Sequence, residues 1–118
     1  MTKAHILEPT QFQAVGRLFG VLSDPTRLTI LHMLKAGPTN VSELVDRTNL
    51  KQANVSKQLG LMFDVGLLGR ERVGNQVYYT IREPLIFELC DLVCKKLQRD
   101  AQTQMELHQA IAATPVSR

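Results

Sequence analysis

No run of about 18 apolar residues occurs anywhere in the 118-residue chain, so a membrane-spanning helix is not expected. The start lacks a basic stretch followed by an apolar segment, so no targeting signal is expected and a cytoplasmic location is. Cysteines number only two, Cys90 and Cys94. At a spacing of four they are too few and too local for a secreted disulfide framework, and a reducing compartment fits them. There is no glycine-rich phosphate loop, and no Ser, Cys or carboxylate with an evident base and orienting partner. Catalysis is therefore not expected, nor is any cofactor. Internal repeats and low-complexity tracts are also missing. What remains is a composition of 44% hydrophobic and 21% charged residues, that of a chain able to bury a core. Its length fits a single domain, 1–118, with no room for a second folded unit.

Lys and Arg number 14 against 11 Asp and Glu, a net charge of +3 that says little as a whole-chain figure. Its placement says more. Residues 51–82 hold Lys51, Lys57, Arg70, Arg72 and Arg82 against only Asp64 and Glu71, so these 32 residues carry the entire excess.

Apolar spacing divides the chain into elements. Phe12, Val15, Phe19 and Leu22 recur at intervals of three and four, predicting an amphipathic helix over about 9–22. Asp24 can then cap a second helix with Pro25 in its first turn, burying Leu28, Ile30, Leu31 and Leu34 and ending near Gly37-Pro38. A short helix over about 41–47 buries Val41, Leu44 and Val45, and Asn49 suits the left-handed conformation of a tight turn. The next helix, about 52–65, turns Val55, Leu59, Met62 and Phe63 inward and leaves Lys51, Gln52, Asn54 and Lys57 mostly elsewhere, with Gly66 as its stop. Beyond it the period becomes two. Leu67–Val73 and Gln76–Ile81 read as a β-hairpin about Gly74-Asn75, with Arg72 opposite Val77 and Arg70 opposite Tyr79. Glu83-Pro84 opens a last helix that can run to about Ala112, and residues 114–118 read as a frayed tail.

The fold expected is mainly α with a β-hairpin wing: a winged helix-turn-helix of about five helices. One such helix fits the major groove of B-DNA, its polar residues reach base edges, and a basic hairpin reaches neighbouring phosphates. Gln52 and Asn54 carry amides suited to adenine edges, and Lys51, Ser56 and Lys57 can reach bases or phosphates. Arg70, Arg72, Asn75 and Gln76 decorate the wing. Any one of these residues is equally the ordinary polar surface of a small domain. The ordered set, with the charge excess confined to it, points to double-stranded DNA through the part spanning about 41–82. The rival reading is a winged helix that docks another protein through its wing or last helix, without reading DNA sequence.

Three stretches resemble the ArsR/SmtB family of bacterial winged-helix repressors: Leu22-Ser23-Asp24-Pro25-Thr26-Arg27-Leu28-Thr29-Ile30-Leu31, then Val55-Ser56-Lys57-Gln58-Leu59 with Val65-Gly66-Leu67-Leu68, then Gly74-Asn75-Gln76-Val77-Tyr78-Tyr79. The resemblance implies a transcriptional repressor acting as a homodimer. Its first and last helices, about 9–22 and 84–112, form the interface and hold two recognition helices about one DNA turn apart over an imperfect palindrome. Leu85, Ile86, Leu89, Leu92, Val93 and Leu97 exceed what one core face needs, in keeping with a partner there. Lys51 stands where a capping Ser is common, Gln58 where His is frequent, and Asn49 in place of a turn glycine. These departures bear on operator preference, not on fold.

Many members of that family release DNA when metal binds, but the ligand sets are not found here. The family's thiolate stretch corresponds to Val41–Asp46, which has no cysteine. For the site on the last helix Glu83 fits, yet Leu85, Lys95, Lys96 and Arg99 offer no imidazole or carboxylate. His5, His32 and His108 are dispersed, so no metal site is expected of them. Cys90 and Cys94 remain, on one side of the last helix. The plainer reading is packing, since cysteine behaves as a small hydrophobe. The sharper one makes them a thiol sensor of a thiophilic metal or metalloid, reactive sulfur or an oxidant. An intrahelical disulfide is awkward, because neighbouring Cβ vectors run side by side.

Overall fold

The computed structural model describes residues 8–113; the expectations for His5 and for the tail at 114–118 lie outside them. Five helices and three short strands follow in the order α1 (Pro9–Leu22), α2 (Pro25–Leu34), β1 (Thr39–Asn40), α3 (Val41–Thr48), α4 (Gln52–Asp64), β2 (Leu68–Val73), β3 (Gln76–Ile81) and α5 (Leu85–Ala113). This is the winged helix-turn-helix that the periodicities predict. The chain divides into two contact units between Glu83 and Pro84, so that α5 forms a unit of its own.

Within the first unit, local chemistry sets the helix ends. The Asp24 carboxylate accepts from the Arg27 amide at 3.0 Å, satisfying one of the free donors at the start of α2, and Pro25 follows it without a donor to satisfy. Asn40 does the same for α3, its Oδ1 accepting from the Glu43 amide at 2.9 Å. At the far end of α3, Asn49 sits at φ 59 and ψ 18, the left-handed turn expected of it, and its amide closes onto the Val45 carbonyl. Thr48 Oγ1 accepts from the Leu50 amide at 3.3 Å, which helps hold the three-residue turn into α4.

The core gathers on α2, α3, α4 and the base of the hairpin. Ile30, Leu44, Val55, Leu59, Met62 and Leu68 have no accessible surface, and Leu31, Leu34 and Leu67 are nearly as deep. Val55, Leu59 and Met62 recur at four and three, so one face of α4 is committed inward and the opposite face must meet solvent.

Several residues depart from the sequence reading. Leu28 is 38% exposed, because α2 turns Ile30, Leu31 and Leu34 to the core and leaves Leu28 on another side. On α1 only Leu22 is buried, while Phe12 and Phe19 are 58% and 54% exposed. That stripe is amphipathic as predicted, but of its apolar side chains only Leu22 is buried. Phe63, Val41 and Val45 are half-buried rather than core. The hairpin also gains a partner: β1 pairs antiparallel with β3, Thr39 opposite Tyr79 and Asn40 opposite Tyr78, giving the order β1–β3–β2. Two residues are too short for a period of two to show, and Asn40 is also the α3 cap.

The second unit is one helix of 29 residues. Leu85, Leu92, Val93, Leu97, Met105, Leu107 and Ile111 are all exposed on it, whereas Ile86 is buried and Leu89 half-buried. Lys96 pairs with Asp100, and Gln102 Nε2 donates to Glu106 Oε1 at 2.9 Å, each pair exposed and one turn apart. Among the described residues no helix is long and apolar enough to cross a membrane.

Two substitutions probe this reading in denaturant unfolding. Leu59→Ala should cost about 2–5 kcal/mol, because it opens a cavity in a side of α4 that has no exposed surface. Asn49→Gly should be neutral or stabilising by up to about 1 kcal/mol, since glycine occupies the left-handed region without the Cβ penalty.

Candidate nucleic-acid interface

The polar face of α4 opposes its buried face. Gln52, Ser56 and Lys57 are exposed, and Asn54 is half-buried at the margin between the two faces. Lys51 is the N-cap residue and makes no side-chain capping bond, and no acidic residue occupies the first turn. The leading amides of α4 are thus not taken by a carboxylate or hydroxyl cap, and the positive end of the helix dipole is reinforced by the lysine. A phosphate suits that environment.

The wing is built as the register predicts, Arg72 opposite Val77 and Arg70 opposite Tyr79. Gly74 takes φ 65 in the turn, a conformation that side chains with a Cβ resist. Arg72, Asn75 and Gln76 are exposed at this end, and Arg72 Nε donates to the Gly74 carbonyl at 3.3 Å. Arg70 is exposed too, but its guanidinium lies 3.9 Å from the centroid of the Phe63 ring. That cation–π contact ties the wing to the end of α4 through the half-buried Phe63.

Two further residues belong to this site: Arg27, to which the sequence reading gives no role, and Gln58, which it notes only as a departure bearing on operator preference. Arg27 Nη1 donates to Gln58 Oε1 at 3.0 Å, and Gln58 Nε2 donates to Asn54 Oδ1 at 3.0 Å. The same guanidinium donates through Nε to the Val21 carbonyl at 2.6 Å and through Nη2 to the Gly20 carbonyl at 3.3 Å, taking carbonyls at the end of α1. Arg27 and Gln58 lie 31 residues apart, so no local pattern signals the pair, although both fall in the stretches that carry the family resemblance.

Cys90 and Cys94 are both thiols on α5, Cys90 half-buried and Cys94 exposed. His32 and His108 are exposed as well, and among the described residues no three His, Cys, Asp or Glu side chains gather as a metal would require.

Comparisons with known proteins give this geometry a family. The model described as bacterial regulatory protein, arsR family, matches residues 24–68, from the α2 cap to the start of the wing. The probable mercury resistance operon repressor of Streptomyces lividans is 30% identical over 80 residues, 68% of this chain and 64% of that protein. The NmtR regulator of Mycobacterium tuberculosis is 33% identical over 77 residues, again with 64% of its length covered. The match thus spans somewhat under two thirds of those two relatives. The crystal structure of Rv0081 from M. tuberculosis superposes with a TM-score of 0.74 at 31% identity, covering 84% of this chain and 99% of that one. The antimony-specific transcriptional repressor AntR superposes equally well, at 28% identity over 86% of this chain and 93% of that one.

Gly74→Val tests the wing directly. It should weaken the hairpin by about 1 kcal/mol or more and speed amide exchange in residues 69–80, with the α2–α4 core amides unchanged. Uniform acceleration across the whole unit would mean that the wing is not a separable element. The chain belongs to the ArsR family of bacterial regulatory proteins, a family of transcriptional regulators rather than enzymes.

Proposed function

We propose that the protein is a homodimeric, sequence-specific DNA-binding transcriptional repressor that works in the cytoplasm. One observation carries this reading: α4 buries one complete face and turns Gln52, Ser56 and Lys57 to solvent, directly before a basic wing. Inserted in the major groove, Gln52, Asn54 and Ser56 meet base edges and Lys57 a base or phosphate. Lys51 and the open start of α4 receive one phosphate, while Arg70, Arg72, Asn75 and Gln76 track the backbone beside it.

The second subunit is supported by apolar surface exposed among the described residues. Phe12, Val15, Leu18 and Phe19 on α1, and Leu92, Val93 and Leu97 on α5, are exposed large apolar side chains on helices. Apolar faces of this kind mark an interface. A second copy covering them by two-fold symmetry sets two α4 helices on successive major grooves, about 34 Å apart, and so favours a palindromic operator.

The repressor is released by a signal that acts on Cys90 and Cys94, whose spacing places both thiols on one side of α5. Thiophilic metal or metalloid, oxidant and reactive sulfur share the chemistry that attacks or binds such thiolates. A mercury resistance operon repressor and an antimony-specific repressor among the relatives are in keeping with that class of signal.

Salt dependence tests the DNA reading. Binding to a selected operator should weaken steeply with ionic strength, and Lys57→Ala or Arg72→Ala should each flatten the log–log slope by about one unit. Salt-insensitive association would favour the protein-docking reading instead. For the signal, Cys90→Ser combined with Cys94→Ser should bind operator like the parent yet stay bound when mercuric ion, trivalent antimony, peroxide or polysulfide is added. A double variant released like the parent refutes the thiol role.

A further inference from the structure

The chain of bonds from Arg27 through Gln58 to Asn54 has a direction that only one arrangement satisfies. Guanidinium has donors and no acceptor, so the Gln58 side chain must turn its carbonyl Oε1 to Arg27. Its Nε2 then faces Asn54 and can only donate, so Asn54 must answer with Oδ1. The orientation of a side-chain amide is ordinarily ambiguous, but here it is fixed from a residue whose polarity cannot reverse. Arg27 is itself held by the Val21 and Gly20 carbonyls, and its backbone amide by Asp24, so the start of the chain is anchored. No described residue accepts from Asn54 Nδ2, which is left as the free end of the relay.

We propose that Arg27, acting through Gln58, is a specificity-determining positioning residue. It makes Asn54 present N–H donors to the groove, so that Asn54 selects a base with an acceptor there and disfavours cytosine. Guanine offers O6 and N7 and thymine offers O4, whereas the polar edge of cytosine is the N4 amino donor. Adenine carries both kinds of group. The two-bond contact of an asparagine with adenine needs Oδ1 turned to the base, and here that oxygen is turned to Gln58, so adenine ranks below guanine and thymine. This inference rests on the reading of α4 as the groove helix.

The test uses the full-length protein. An operator is first selected from random duplex DNA, and binding is then measured for all four bases at each operator position. The parent should show one position per half-site that loses its preference in Asn54→Ala. There guanine or thymine should exceed cytosine by about fivefold or more, the worth of one net hydrogen bond. Gln58→Leu keeps Arg27 on the α1 carbonyls but removes the relay, and should level the bases at that position to within about twofold. Gln58→Glu is the decisive variant. The introduced carboxylate still accepts from Arg27 but cannot donate, so Asn54 turns its amide over, and cytosine or adenine should outrank guanine and thymine. The added negative charge weakens all sites alike and leaves these ratios unaffected. Arg27→Met should lose the preference as Gln58→Leu does, while the Gln58 variants keep the test valid if loss of Arg27 unfolds α1. An operator whose base order is the same in the parent, Gln58→Leu and Gln58→Glu overturns the inference while leaving DNA reading intact. Failure of the parent to select any operator overturns both.

Discussion

The complete burial of Val55, Leu59 and Met62 on one side of α4 is the constraint on which the rest of the first unit depends. Helix α4 packs against α2, α3 and β2, the elements that carry the equally buried Ile30, Leu44 and Leu68. A helix fixed on one face by fully desolvated residues cannot rotate without exposing them, and exposing even one large side chain costs about 1.5–3 kcal/mol. The opposite face is held just as firmly in its outward direction. Gln52, Ser56 and Lys57 there, together with the left-handed turn at Asn49 that aims the helix, are placed by the core, while Asn54 is also held by Gln58.

How much of this is legible in the sequence depends on how local the cause is. The α2 cap at Asp24, the turn at Asn49 and the wing register about Gly74-Asn75 each arise from a few adjacent residues, and each stands in the structure where its residue types put it. Strand β1 is invisible because its two residues owe their extended form to pairing with Tyr78 and Tyr79, almost 40 positions away, and not to any periodicity. Spacing places Leu28 in the core because it gives a stripe without its width, and only packing decides which edge of the stripe remains wet. At the candidate site, exposure of Gln52, Ser56 and Lys57 follows from the helix period. The i, i+4 bond of Asn54 with Gln58 is also open to that period, but the hold of Arg27 on Gln58 is not, because it joins α2 to α4 across 31 residues.

The exposed apolar side chains on α1 and α5 and the basic excess at 51–82 lend the proposed assembly two separate supports. The first is matched by an apolar partner and the second by a polyanion. A second copy of the chain and a DNA duplex answer these two needs separately. Membership in the ArsR family fits both, and residues 24–68, the part its model matches, contain the helix-turn-helix and stop at the edge of the wing.

Methylation interference on the selected operator tests most directly the claim that α4 reads the major groove. Methyl groups placed on guanine N7 project into that groove, whereas those on adenine N3 lie in the minor one. The account predicts loss of binding from N7 methylation in two clusters about 10 base pairs apart, one beneath each α4 helix. Binding that tolerates N7 methylation throughout, or that is lost only on methylation of adenine N3, would contradict it.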